Sequence, residues 1–236
     1  MKIRARFFIT ITLLFFSFLS TAQQNKKLDS LLSVYQTLPN NEEKVKTAHS
    51  LYDYHYNGTP KSAIRYTKEG LKIAQEINYG YGIAESYYHI GRDFKNKRIL
   101  DSADYYYKRS LDKFVEINDV IQQGKVEHHL AIVESYRGDY QKTHEIIDRN
   151  LDFYSTKVLD STILLRFYDL QAHVLINQTR YKAGIESALK ANPEKAAKLK
   201  RWISKEMPKI DWENMAVSAN KATRDSAGEV LANLHG

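Results

Sequence analysis

Residues 66–78 read YTKEGLKIAQEIN, and residues 106–118, forty positions on, read YYKRSLDKFVEIN. Tyr, Lys, Leu, Glu, Ile and Asn recur at matching places while the positions between them drift. The interval holds elsewhere. Ala63, Ala103 and Thr143 form a column of small residues 40 apart; Leu71, Leu111 and Leu151 form a second, and Gly70, Ser110 and Asn150 a third. Ile90-Gly91 and Leu130-Ala131 repeat a large-small pair at the same interval. A fixed period of this size marks a chain built from stacked supersecondary units, each too small to bury its own apolar face.

Within one period the pattern predicts two helices. Residues 84–96 place Tyr87, Ile90, Gly91 and Phe94 on one stripe at i, i+3, i+4, i+7 spacing. A turn at Lys97 to Leu100 leads to Asp101-Ser102, read as a helix-capping pair, and residues 102–117 place Ala103, Tyr107, Leu111 and Phe114 on one face. Leu71 and Leu111 are expected in the shared core. Gly138-Asp139-Tyr140 makes the turn between helices expected over 124–137 and 140–155, and Gly80-Tyr81-Gly82 is expected to connect two helices rather than to hold a phosphate.

The arrangement resembles the tetratricopeptide repeat, which has bulky, large-small and aromatic positions on its first helix and small, aromatic and small positions on its second. Tyr87, Ile90, Gly91, Phe94, Ala103, Tyr107 and Ser110 fit throughout. Leu130, Ala131, Gly138, Asp139, Tyr140, Thr143 and Ile147 also fit, although Glu134 stands where an aromatic is usual. Tyr168, Ala172, Leu175, Tyr181 and Gly184 suggest a further unit, and Ala63, Gly70 and Leu71 mark the first. The resemblance covers roughly residues 43–185. It implies an all-α, right-handed superhelical solenoid of antiparallel helix pairs, at about 43–80, 84–120, 124–157 and 165–191. Residues 23–42, with Leu28, Leu31, Leu32 and Tyr35 on one stripe, are expected to cap its exposed end.

The flanks read differently. Lys2, Arg4 and Arg6 precede an apolar run from Phe7 to Leu19 and small residues at Ser20-Thr21-Ala22. That run is shorter than the roughly 20 residues a spanning helix needs, so 1–22 is read as a signal peptide and the protein as exported, most simply to the periplasm. Left uncleaved, the segment would serve as a membrane anchor. All 17 Tyr lie at or before Tyr181, whereas both Trp lie after it, so 192–236 is a helical tail of different composition. Its predicted basic helix at 193–207 carries Trp202 and is read as an end cap, with contact to an anionic membrane as the other role. A tail produced by a shifted reading frame would also account for the break.

Composition narrows the function. The chain has no cysteine, which excludes disulfides, thiolate metal sites and a cysteine nucleophile. Of its formal charge of +7, three units lie in the signal segment and three more in 182–236, and the near-neutral body between them argues against nucleic-acid binding. Adjacent His128 and His129 leave a helix about 100° apart and cannot both ligate one ion well, and after His144-Glu145 an Asp148 stands where a second His would be needed. No catalytic, metal or cofactor site is expected.

The resemblance implies instead a protein or extended peptide bound on the concave face by the first helix of each pair. Carried over residue by residue, that face presents Tyr88, Arg92, Lys95 and Asn96, then His128, Ser135 and Tyr136, then Arg166, Asp169, His173 and Asn177, with His89 and His129 nearby. Its histidines would make binding respond to pH. Long, Tyr-rich repeats behind a signal peptide resemble the exported sensor regions of some bacterial signalling proteins. The alternatives are a kinase or transcriptional regulator lacking its output domain, and an enzyme with an unrecognised site.

Overall fold

The computed structural model describes residues 28–56, 60–156 and 161–192. The expected signal segment and the tail with its basic helix lie outside the described residues. Every regular element described is α-helical. A first helix, α1, covers 28–37. It is followed by α2 (Glu42–Tyr56), α3 (Pro60–Glu76), α4 (Gly80–Asn96), α5 (Leu100–Glu116), α6 (Val120–Arg137), α7 (Tyr140–Ser155), α8 (Ser161–Asn177) and α9 (Tyr181–Ala191). Successive helices pack in pairs, α2 on α3, α4 on α5, α6 on α7 and α8 on α9. The chain divides between Asn118 and Asp119 into two compact units.

The quoted echo is a packing stripe. On α3 the stripe of buried positions is Ala63, Thr67, Gly70 and Ala74, with Ile73 buried beside it; on α5 it is Ala103, Tyr107, Ser110 and Phe114; on α7 it is Thr143, Ile147, Asn150 and Tyr154. Each set follows i, i+4, i+7, i+11, one face of a helix. The conspicuous leucine column lies beside it. Leu71, Leu111 and Leu151 are only half-buried, against the expectation that Leu71 and Leu111 lie in the shared core. One residue past the Gly70/Ser110/Asn150 column, they are turned about 100° toward the rim.

That column shows what the second helix does at its crossing. At Gly70 an added Cβ would already lie 3.2 Å from the Ala48 Cβ. Ser110 donates its hydroxyl proton to the Ala84 carbonyl at 2.8 Å, and Asn150 donates to the Ile146 carbonyl at 2.8 Å and to Glu127. The buried Ser110 and Asn150 side chains thus have the partners that burial requires. In the first unit, Leu28, Leu31, Leu32 and Tyr35 of α1 pack on Ala48 and Leu51. In the second, Ile147 and Tyr154 join Ile163, Phe167 and Val174. Burial, reinforced by the charge of Glu127, pushes the Tyr154 phenol up to about 12, and its proton goes to the Val120 carbonyl at 2.7 Å.

The turns explain the Ile-Asn that ends both quoted stretches. Asn78 and Asn118 adopt left-handed backbone at φ 54° and 57°, a conformation Asn tolerates better than most residues. Tyr79 N–H then closes on the Ala74 carbonyl at 2.8 Å, as Ile99 N–H does on Phe94, Asp139 on Glu134 and Arg180 on Leu175. This is the Schellman closure of a helix end. Gly138 occupies the left-handed place at φ 81°, but Thr179 does so at φ 62°, where a β-branched residue is strained. Thr179→Gly is expected to stabilise the protein by about 1 kcal/mol, read as a higher urea midpoint with an unchanged m-value.

Two local expectations change. α4 begins at Gly80, so Gly80-Tyr81-Gly82 forms its first turn and not a connection. A Cβ at Gly82 would lie 2.8 Å from Val45, so glycine lets α4 approach α2 there. Asp101-Ser102 does not cap α5, because Ile99 holds the cap position without a side-chain bond and Asp101 lies within the first turn. The Schellman turn ends at Ile99 and feeds straight into the helix, leaving Asp101 to complement the helix dipole. Asp119 and Asp139 do cap, accepting from Gln122 N–H at 3.1 Å and Lys142 N–H at 3.0 Å.

Candidate functional site

In the first unit the facing sides of α2 and α4 hold an unusual density of polar and aromatic groups. Arg92 of α4 lies flat over the Tyr56 ring, its Cζ 3.4 Å from the centroid, and Nη1 donates to Asp53 Oδ1 at 3.1 Å. One turn on, Asn96 donates its amide proton to the Tyr56 hydroxyl oxygen. Asp53 is 59% exposed and Arg92 22%, so the pair forms a lip at the surface with the guanidinium partly covered. Burial opposes the charge on Arg92, but its hydrogen bond to Tyr56 and the surrounding phenols hold its pKa above the ordinary value. The half-buried Lys95 moves the other way: burial, then the positive charges of Arg92 and Arg98, lower its pKa.

Beneath this lip is a polar layer sealed from water. His89 is 1% exposed and stacks on Tyr52 with centroids 4.1 Å apart and planes at 14°. The Tyr52 hydroxyl donates to the His89 carbonyl at 3.1 Å, which pins the stack. His49 meets His89 edge-on at 5.1 Å and shares a 2.8 Å hydrogen bond with the buried Ser86. Burial pushes the Tyr52 and Tyr107 phenols far above their usual range.

Of the sequence-derived residues on α4, Arg92 and Lys95 are half-buried and Asn96 is exposed. Tyr88 does not present itself outward: it is 4% exposed and packs on Tyr107 at 5.9 Å and His89 at 5.6 Å. The α2 partners Asp53 and Tyr56 were not anticipated, because the first pair carries few of the repeat's marker residues. Their signal was nevertheless present, since Asp53 and Arg92 are 39 apart and Tyr56 and Asn96 are 40 apart.

In the second unit, Arg166, Asp169, His173 and Asn177 follow one line along α8, with Arg166, His173 and Asn177 exposed and Asp169 partly so. His173 Nε2 lies 3.8 Å from Asp169 Oδ2. On α6, Tyr136 is exposed, Ser135 half-buried, and half-buried His128 packs edge-on to Phe167 and His129 at 5.6 and 5.4 Å. A separate cleft of about 490 Å³ lies among α7, α8 and α9. Ser187 there donates to Gln171, whose amide donates to Asp148 at 3.2 Å. His144 is turned to Gln178 at 2.9 Å.

No protein-family model matches the chain, and no curated protein matches it in sequence. Solved structures do resemble it. BtubC (BKLC) from P. vanneervenii is 14% identical with a TM-score of 0.59, over 91% of this chain and 91% of its own. Kinesin light chain TPR-like repeats from Podosopora anserina are 14% identical with a TM-score of 0.55, over 76% and 90%. Aspartyl phosphate phosphatase F from Bacillus subtilis is 11% identical with a TM-score of 0.53, over 90% and 67%. At these identities the likeness shows the fold. This is an all-α, TPR-like repeat fold.

Proposed function

We propose that this TPR-like chain is an exported, non-catalytic interaction module that holds an extended segment of a protein partner along the first helices of its pairs. The observation that supports it most is the meeting of α2 and α4, where Asp53, Tyr56, Arg92 and Asn96 converge at hydrogen-bonding or stacking distance. A guanidinium laid over an aromatic ring, with Lys95 one turn on, suits an anionic side chain of the bound segment. Tyr136 of α6 and the Arg166–Asn177 line of α8 give the second unit a polar face of its own. Export, and a role as the sensory part of a bacterial signalling system, rest on the N-terminal segment and the Tyr-rich repeats.

The test is selection of a displayed random-peptide library on the immobilised full chain. Acidic, extended sequences are expected to be enriched, and the enrichment is expected to vanish with Arg92→Ala. No enrichment, or the same enrichment with Arg92→Ala, would overturn the reading. Export is tested separately: alkaline phosphatase fused after residue 60 is expected to be active in a bacterial host and inactive once residues 1–22 are deleted. Activity without those residues would remove the export proposal and leave the peptide-binding reading untouched.

A further inference from the structure

We propose that a proton on His89 draws Asp53 away from Arg92 and frees the guanidinium, so that the Arg92 site takes anionic ligands more tightly in mildly acidic solution. This rests on the peptide-binding reading and adds a control to it. The key atom is Asp53 Oδ1, which stands 3.1 Å from Arg92 Nη1 and 4.0 Å from His89 Nε2. A single carboxylate oxygen is therefore within reach of two partners on α4, only one of which is permanently charged.

The surroundings set the direction. Glu85 Oε1 lies 3.3 Å from His89 Nε2 and is itself on a buried residue. From α2 the imidazole faces His49, Tyr52 and Asp53; from its own helix it faces Glu85 and Tyr88, with Arg92 beyond Asp53. α5 contributes Tyr107 behind Tyr88, and α3 reaches the cluster at Gly70 beside His49. With a neutral imidazole, Asp53 is paired to Arg92 alone while Glu85 faces an uncharged ring. With an imidazolium the charges balance, and the Tyr52 stack gains a cation–π component. The carboxylates face Nε2 and hold the neutral ring's proton there, so the proton that charges the ring goes to Nδ1, which is buried without a hydrogen-bond partner.

An anionic ligand arriving at Arg92 displaces Asp53. If His89 is neutral, that carboxylate is left without a counter-charge; if it is protonated, Asp53 moves to it. Ligand and proton therefore favour each other, and linkage makes the effect reciprocal. The coupling expected of such a pair is about fivefold.

The test measures anisotropy of fluorescein-labelled polyglutamate on the full chain at about pH 5.5 and about pH 7.5, at constant ionic strength. The wild type is expected to bind about fivefold tighter at the lower pH. His89→Gln is expected to lose that difference, and Asp53→Asn, on the exposed lip, to bind tightly at both. The His89 Cε1–H resonance supplies a readout without ligand: its titration midpoint should rise with polyglutamate and fall in Asp53→Asn. An equal pH slope in wild type and His89→Gln, or an unchanged midpoint in Asp53→Asn, overturns the proposal. Absence of binding at both pH values overturns the peptide reading, while the midpoint in Asp53→Asn still decides the His89–Asp53 link.

Discussion

Gly91→Ala is expected to destabilise the first unit by about 2 kcal/mol in wild type, yet to stabilise a Tyr107→Ala background by about 1 kcal/mol. A Cβ at Gly91 would lie 2.8 Å from Tyr107 Cδ1 and 2.9 Å from Cε1, closer than carbon atoms approach without a shift. Tyr107 has no room to yield, since it is 0% exposed and packed among the rings of α4. In a helix interior, alanine is otherwise preferred to glycine by about 1 kcal/mol, so only the crossing makes Gly91 favourable. Removing the ring should reverse the sign. Tyr107→Ala alone should cost about 3–5 kcal/mol, so the cycle is best measured by urea unfolding at low temperature. Equal costs of Gly91→Ala in both backgrounds would show that the close approach is not what selects glycine.

The second large effect concerns Glu134, the position where the repeat usually has an aromatic. It is 3% exposed, and its Oε1 accepts from Arg137 Nη1 at 2.9 Å and from Lys142 Nζ at 2.8 Å. The two cations come from either side of the Gly138 turn, so one carboxylate ties the end of α6 to the start of α7. Removing both cations (Arg137→Ala with Lys142→Ala) leaves a buried carboxylate without a partner and is expected to cost about 3 kcal/mol. Replacing the carboxylate itself is expected to be mild. Glu134→Phe restores an apolar group of the usual kind and returns two partly exposed cations to water, so a change within about 1 kcal/mol is expected. Thermal unfolding of the three proteins at one pH checks the asymmetry. A Glu134→Phe change as damaging as the double cation removal would show that the ion pairs themselves stabilise the turn.

Both cases bear on what could be read in advance. Gly91 and Tyr107 were legible because the crossing of paired helices imposes the same demand every 40 residues, and a repeated demand leaves a column. Glu134 was legible as a departure from the pattern, but not its solution, since Arg137 and Lys142 are unremarkable surface residues until the turn folds. The leucine column misled for a related reason. Leucine tolerates a half-buried rim, so its recurrence says that a position is apolar and not that it is central. The small and mixed positions beside it, Gly70, Ser110 and Asn150, recur less visibly and lie deeper.

The meeting of α2 and α4 shows the same division. Arg92, Lys95 and Asn96 are assigned to one helix face by the resemblance to the tetratricopeptide repeat, whose helix geometry is local. Tyr88 shares that assignment but is buried, since Tyr107 and His89 close around it, and periodicity does not record how far a neighbour reaches. The partners Asp53 and Tyr56 come from a helix 39 and 40 residues away. Only the packing of α2 on α4 sets an aspartate between a guanidinium and a buried imidazole.

By itself, then, the sequence determined the helices, their pairing and the 40-residue period, because those follow from stripes of buried side chains that each helix carries within its own length. The tertiary structure decided which polar groups meet, which are sealed from water and which charges share a partner. Those outcomes depend on distances of a few ångströms between separate helices, and charge interactions change steeply over that range once water is excluded.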